Sequence, residues 1–332
     1  MPPTRTAKAR RQWLYDLLGA ILLAASVAPA IAQAQEWPAR PVTLVVPFPP
    51  GGSNDVAARV VAEHARKRLG QSVVVDNKPG ANGALGVDTV LRAPRDHHSF
   101  LVASDSVSLL PLFRPLAWDL ARTFTPVSVL AYQPIVVVTG VSTGLKSIKD
   151  LQERARGKPD QVSYASSGQG SIQHLLGELF AQNLGINLLH VPYKGGGQAI
   201  ADTIGGSIPL VYTAVAGAQG HVKSGKLRAI AVSSARRNGA LPDVPTFIES
   251  GFPDFVAESW VGILAPAKTP PAITARLNAE LNTVLSDPAL RERLATLGIE
   301  ATPGTPEQFR EQMRTDLANY GPIVRAAGIK LE

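Results

Sequence analysis

The sequence predicts an α/β protein built on doubly wound sheets, and three observations carry that reading. Short β-branched apolar runs alternate with amphipathic helical stripes, and glycine and proline are frequent, at 29 and 27 of 332 residues. The segments that join strand to helix are themselves glycine-rich. Runs that are apolar on both faces suit central strands of a parallel sheet. Strand–helix–strand order then implies right-handed crossovers.

Taken in order, Val42-Thr43-Leu44-Val45-Val46 is a continuous strand run, stopped by Pro47, Pro49 and Pro50. A helix follows with Val56, Val60 and Val61 on one face, and Gly70 after Leu69 closes it. Ser72 to Val75 reads as a strand, Ala84 to Ala93 as a helix and Phe100 to Ala103 as a strand. A second unit opens near Ile135-Val136-Val137-Val138, after a break at Tyr132-Gln133-Pro134. Ser147 with Asp150 three residues later makes a helix start, and Val162 to Ala165 is a strand. Ile172, Leu175, Leu176, Leu179 and Phe180 form a helical stripe ended by Gly185. Strands recur at Leu188 to Val191, Leu210 to Thr213 and Leu227 to Val232. After Trp260 the pattern changes to one strand, Val261 to Leu264, and two or three helices. The last helix opens at Thr305-Pro306-Glu307-Gln308 with a cap, a first-turn proline and a glutamine at the third position.

Residues 1–34 read as an export signal. Basic residues up to Arg11 precede an apolar run from Leu17 to Ala32, and cleavage is expected near Ala32 or Ala34. The run is short for a span of about 20 residues. Arg10-Arg11-Gln12-Trp13-Leu14 resembles a twin-arginine motif with Trp where Phe is usual, so the general secretory and twin-arginine routes both stay open. With no cysteine, the chain offers no lipid-attachment site and no disulfide, so a free periplasmic protein held by packing is expected. The formal charge is +7, and removing the leader takes away four basic residues and one acidic one, leaving +4. That scattered excess suits an anionic ligand and excludes nucleic acid as a partner.

Three loops between strand and helix could hold such an anion. In Pro47–Asp55, Phe48, Gly51, Gly52 and Ser53 precede a helix whose first turn exposes unpaired N–H groups and a positive dipole end; Asp55 is expected to cap the helix or its loop. In the second loop, Ser166, Ser167, Gly168, Gly170 and Ser171 offer hydroxyls and amides at another helix start. The third, Tyr193, Lys194 and Gly195 with Gly196 and Gly197, adds a ring, a hydroxyl and a charge. Asn82 and Gly83 form a weaker candidate. Each of these also has a bland reading, as a turn that only joins two elements.

Enzyme signatures are missing. No G-x-S-x-G elbow occurs, and Gly220 to Leu227 has Leu where a phosphate-binding loop needs Ser or Thr. Histidines 64, 97, 98, 174, 190 and 221 show no metal-ligand spacing. No metal or cofactor is expected. His64 reads as a boundary histidine, and His174, one turn into its helix, is a candidate to reach a cleft.

The loops also carry a resemblance. Trp37-Pro38-Ala39-Arg40-Pro41, Phe48 to Asp55, and Asn77-Lys78-Pro79-Gly80-Ala81-Asn82-Gly83 resemble the Bug receptor family. The match continues through His190 to Gly195, Gly225 to Ala229, Leu241 to Thr246 and Trp260-Val261-Gly262, covering essentially the whole mature chain. Members are periplasmic solute receptors of tripartite tricarboxylate transporters. The resemblance implies a type II periplasmic binding-protein fold, two doubly wound lobes around a ligand cleft. It implies lobe one at 35–133 plus 255–332 and lobe two at 134–254. It adds Ser104, Ser106 and Thr213 to the cleft, with Tyr212 beside Thr213. Tyr212-Thr213 stands where Phe-Asp is common, which removes an acidic group near the ligand and argues against an amine-bearing one. The partners implied are a small carboxylate and the membrane subunits of a transporter; a monomer is expected. A hydrolase or isomerase acting on a small carboxylate, and a scaffold that binds no small molecule, are the other readings weighed.

Overall fold

The computed structural model describes residues 37–156, 162–253 and 255–329. The chain divides into two units, 1–39 and 40–332, and the fold below is that of the second. The export signal lies outside the described residues.

Strand β1 (Val42–Val46) is buried at four of its five positions, as an all-apolar run requires. Helix α1 (Ser53–Leu69) follows and ends on Gly70 in the left-handed conformation. Strand β2 (Val73–Asn77), helix α2 (Ala84–Arg92) and strand β3 (Ser99–Ser104) complete a unit in which β1 pairs in parallel with both β2 and β3. One turn of helix, Asp105–Ser108, leaves the end of β3.

Strand β4 is the long element, Phe124–Gly140. The apparent break at Tyr132-Gln133-Pro134 does not interrupt it. The register slips between Pro126 and Ser128 and again between Val129 and Ala131, as bulges that accommodate a strand proline do. The carbonyls freed there find other donors: Asn278 Nδ2 reaches Val127 O at 2.7 Å and Thr302 N reaches Leu130 O at 3.2 Å. Residues 124–134 pair with β9 (Glu258–Pro266), while 135–140 pair with β7 (Leu210–Ala214) on one side and β8 (Leu227–Val232) on the other. The intervening chain supplies α3 (Ile148–Ala155), β5 (Ser163–Ser166), α4 (Ile172–Leu184), β6 (Leu189–Pro192), α5 (Gly196–Ile204) and α6 (Val215–Lys223). Strand β5 lies between β6 and β7, parallel to both.

The main strand path therefore runs β2-β1-β3-β9-β4-β7-β5-β6. Helices α7 (Pro271–Leu285), α8 (Pro288–Thr296) and α9 (Pro306–Ala326) close the chain, with the two-residue β10 (Glu300–Ala301) against β4. The α9 start is a full capping box: Thr305 accepts from Gln308 N, and the Gln308 side chain accepts from Thr305 N at 2.8 Å. One core gathers Trp260, Phe309, Leu101 and Leu264 beside the β1–β3 side. A second gathers Tyr164, Phe180, Tyr212, Phe247 and Phe255 beside β5 and β7.

Candidate functional site

A cavity of about 550 Å³ opens where the strand-to-helix loops converge. Of the positions picked from sequence, Phe48, Gly51, Gly52, Ser53, Asn82, Ser104, Ser106, Ser167, Gly170, Ser171, Lys194, Gly195 and Thr213 line it. Such loops sit at the carboxyl ends of strands, where open α/β sheets place ligands.

Besides the single turn at Asp105–Ser108, four longer helices begin on the wall. The flanking residues before α1, α5 and α6 are Gly52, Gly195 and Ala214, and none supplies a side-chain cap. Their first-turn N–H groups are thus left for solvent or a ligand. Helix α4 differs: Ser171 Oγ accepts from His174 N at 3.3 Å. Gly52 and Gly195 have no hydrogen-bond partner for their N–H groups among the described residues.

The other predicted positions stand behind the wall, each held by its own bonds. Asp55 accepts from Gly51 N at 2.9 Å, from Arg59 Nε at 3.0 Å and from Asn77 Nδ2 at 2.9 Å. It ties the loop down rather than capping the helix. Burial alone would raise its carboxyl, but the Arg59, Gly51 and Asn77 bonds win and hold it below the usual range. Gly83, at φ +96°, packs so tightly that an added Cβ would sit 2.7 Å from Val107. Ser166 Oγ bonds His190 Nε2 at 2.7 Å and accepts from Gly168 N at 3.1 Å, which removes Ser166 and the Gly168 amide together. Tyr193 donates its hydroxyl to Asp202 at 2.7 Å. Tyr212 is buried edge-on against Tyr164, with ring centres 5.4 Å apart.

His174 does not reach the cavity. Its Nδ1 accepts from Gly170 N at 3.0 Å, and its ring stacks on His190 with centres 3.6 Å apart. Burial pushes His174 down to about 4 and, with its neighbour's charge, His190 to about 3, so both are neutral. His64 bonds its own helix at Val60 O, as a boundary histidine does.

Sequence reading passed over several wall residues. Asn54, Gln173, Gln198, Gly217 and His221 carry no motif and come into place only through helix phase. Gln173 accepts the Ser167 hydroxyl at 2.8 Å, two residues into α4. Ser259 arrives from β9, far along the chain. Asp105 is 2 % exposed, and burial, reinforced by Asp316, pushes its carboxyl up to about 7 against the pull of Ser259 and Ser106. Asp105, Lys194 and His221 are the titratable residues on this wall.

The arrangement suits capture of a small anion by backbone and hydroxyl donors. Among the described residues no cluster of side chains fit for a metal ion is found, and no helix is long and apolar enough to cross a membrane. Protein BugT of Bordetella pertussis is 36 % identical over 322 residues, 96 % of this chain and 98 % of that protein. The solved periplasmic binding protein BugD is 34 % identical with a TM-score of 0.82, over 89 % of this chain and 100 % of its own. An R. palustris protein solved with adipate is 32 % identical with a TM-score of 0.85, over 89 % of this chain and 99 % of its own. These likenesses show the periplasmic binding-protein fold, and they are to binding proteins rather than to enzymes. Residues 57–329 match the tripartite tricarboxylate transporter family receptor model, TctC, and the chain is a member of that family of solute receptors.

Proposed function

We propose that this receptor binds a small carboxylate in the cavity between two lobes and delivers it to the membrane subunits of a tripartite tricarboxylate-type transporter. The observation that carries the reading is the set of three uncapped helix starts, at Gly52, Gly195 and Ala214, facing one cavity. Each is a preformed anion donor, and a carboxylate would complete the caps that the chain leaves open. Lys194 at the rim adds one positive charge. The adipate found in a relative is a molecule of this class.

Lobe one would comprise 35–133 plus 255–332 and lobe two 134–254. Support comes from the change of β4 partners between Pro134 and Ile135, from β9 to β7 and β8. The mature chain would act in the periplasm as a monomer, after removal of a leader ending near Ala32 or Ala34.

Thermal unfolding against adipate, benzoate and their neutral amides tests the reading. A ligand at a hundred times its dissociation constant adds about 2.7 kcal/mol, a midpoint shift of several degrees at this size. A shift with one acid and none with its amide is expected. Equal shifts with acid and amide would remove the carboxylate from the recognition.

A further inference from the structure

Helix α6 has two working faces. Val215 and Ala218, with Val222 beside them, pack into the core against Ala199 and Ile200 of α5. Ala214, Gly217 and His221 repeat that i, i+3, i+7 spacing one position earlier, and all three line the cavity. At 1.5 Å per residue, the wall follows α6 for about 10 Å from its uncapped start to His221. Of the wall's titratable residues, Lys194 flanks the α5 start and Asp105 the end of β3, which leaves His221 alone on this stretch.

Glycines keep the stretch open. A Cβ at Gly217 would stand 3.3 Å from Thr213 Oγ1 and 3.4 Å from Ile200 Cδ1, so a larger side chain would fill the space beside α5. A Cβ at Gly197, on the α5 side of the wall, would meet nothing within 4 Å. Glycine inside a helix weakens it relative to alanine, and α6 carries that weakness where it faces the cavity. At the far end the His221 ring is half-buried, and neither ring nitrogen has a hydrogen-bond partner among the described residues. The bonds His221 does receive are at its backbone carbonyl, from Lys226 N at 2.9 Å and Ser224 Oγ at 3.2 Å. Neutral or charged, the ring keeps at least one N–H to donate. An apolar ligand tail would strip water from those nitrogens and return nothing, whereas a second carboxylate would accept from them.

We infer that His221 is a specificity residue that donates a hydrogen bond to a second acidic group of the ligand, so that the receptor selects a dicarboxylate over a monocarboxylate of the same length. The inference rests on the carboxylate reading above and adds the far end of the ligand to it. One carboxylate completes the open helix starts, the carbon chain lies along Gly217 between α5 and α6, and the second carboxylate meets the ring.

Calorimetry with adipate and hexanoate, acids of equal chain length that differ in the second carboxylate, reads this directly. Wild-type protein should bind adipate about tenfold or more tightly than hexanoate, as a hydrogen bond to a charged group supplies. His221→Ala should lower adipate affinity by about the same factor and bring it near that of hexanoate. His221→Gln, which keeps an N–H donor, should recover part of the loss. Gly217→Leu should weaken adipate binding by filling the space beside α5, with matched melting curves showing that the helix still forms. Equal affinity of the wild type for both acids overturns the role of His221 and leaves the carboxylate reading standing. So does an equal loss of both acids in His221→Ala. No heat with either acid would remove the carboxylate reading in this form, and the inference with it.

Discussion

Glycines 51 and 52 are adjacent, yet they do different work. Gly51 sits at φ +78° and gives its N–H to Asp55, so it shapes the loop. Gly52, at φ −71°, flanks α1 and has its N–H left over. That angle matches the value near −65° that a proline ring imposes. Gly52→Pro should therefore keep the fold while deleting one donor to the ligand. A hydrogen bond to a charged group is worth about 1.5–3 kcal/mol, so affinity should fall about tenfold or more. Ser167→Ala should weaken binding by less, because its hydroxyl is committed to Gln173 and orients that side chain. Calorimetry with matched melting curves checks both, and unchanged affinity in both variants would count against these loops. At this scale the sequence shows which residues can offer amides or hydroxyls. It does not show which of those groups the protein uses itself, because Asp55, His174 and Ser166 are brought to their partners only by folding.

Helix α4 and strands β5 and β6 enclose a buried polar cluster behind the Ser166–Ser171 loop. His174 and His190 stack, Ser166 bonds His190, and Tyr164 donates to Glu178 at 2.6 Å. The stripe Ile172, Leu176, Phe180 predicts which face of α4 turns inward, and the structure buries those residues. It does not reveal that His174 shares the buried side. Both histidines titrate lower in the fold than the ordinary value of about 6.5. The unfolded chain therefore binds more protons between that value and the folded ones, and stability falls as pH drops through this window. Wild-type protein should lose stability from pH 6.5 toward 4, by up to about 1.4 kcal/mol per pH unit for each group. A His174→Gln, His190→Gln double variant should start less stable at pH 7 and show a shallower slope. Urea midpoints at intervals between pH 7 and 4.5 measure it; parallel slopes would show that the acid sensitivity lies elsewhere.

On the scale of the molecule, strand β4 links the two halves of the strand path, and a contact spans the loops at the cavity mouth. Asn82 Nδ2 donates to Gln169 O at 2.8 Å, with Asn82 itself left-handed at φ +53°. The apolar cluster of Leu109, Phe113, Leu175, Val324 and Ile329 joins the segment after β3 to α4 and the end of α9. If the halves move as lobes, the Asn82 contact favours the closed form and the long strand carries the hinge. Asn82→Gly keeps the left-handed backbone at no steric cost and deletes the contact. Ligand-free protein should then show a larger radius of gyration by small-angle scattering than wild type. Saturating ligand should erase the difference. Equal radii without ligand would mean that the contact does not hold the halves together.

Sequence alone determined the local alphabet: β1, β3, β5, β7 and β8 as apolar runs, α1 and α4 with their closing glycines, α9 with its capping box, and the glycine-rich turns between strand and helix. These follow from short-range sterics and periodicity, which neighbouring residues express by themselves. The first half of β4 escaped because Tyr132-Gln133-Pro134 reads as a break, whereas the strand runs through it with Pro134 in register opposite Glu258. Ser259 reached the wall on β9, where it pairs with Gln133 of β4, far back in the chain. Asp105 acquired its character from burial, reinforced by Asp316 on the last helix. Those features depend on contacts between segments far apart in sequence, and only tertiary packing decides them, because burial and electrostatics are properties of surroundings that no local window contains.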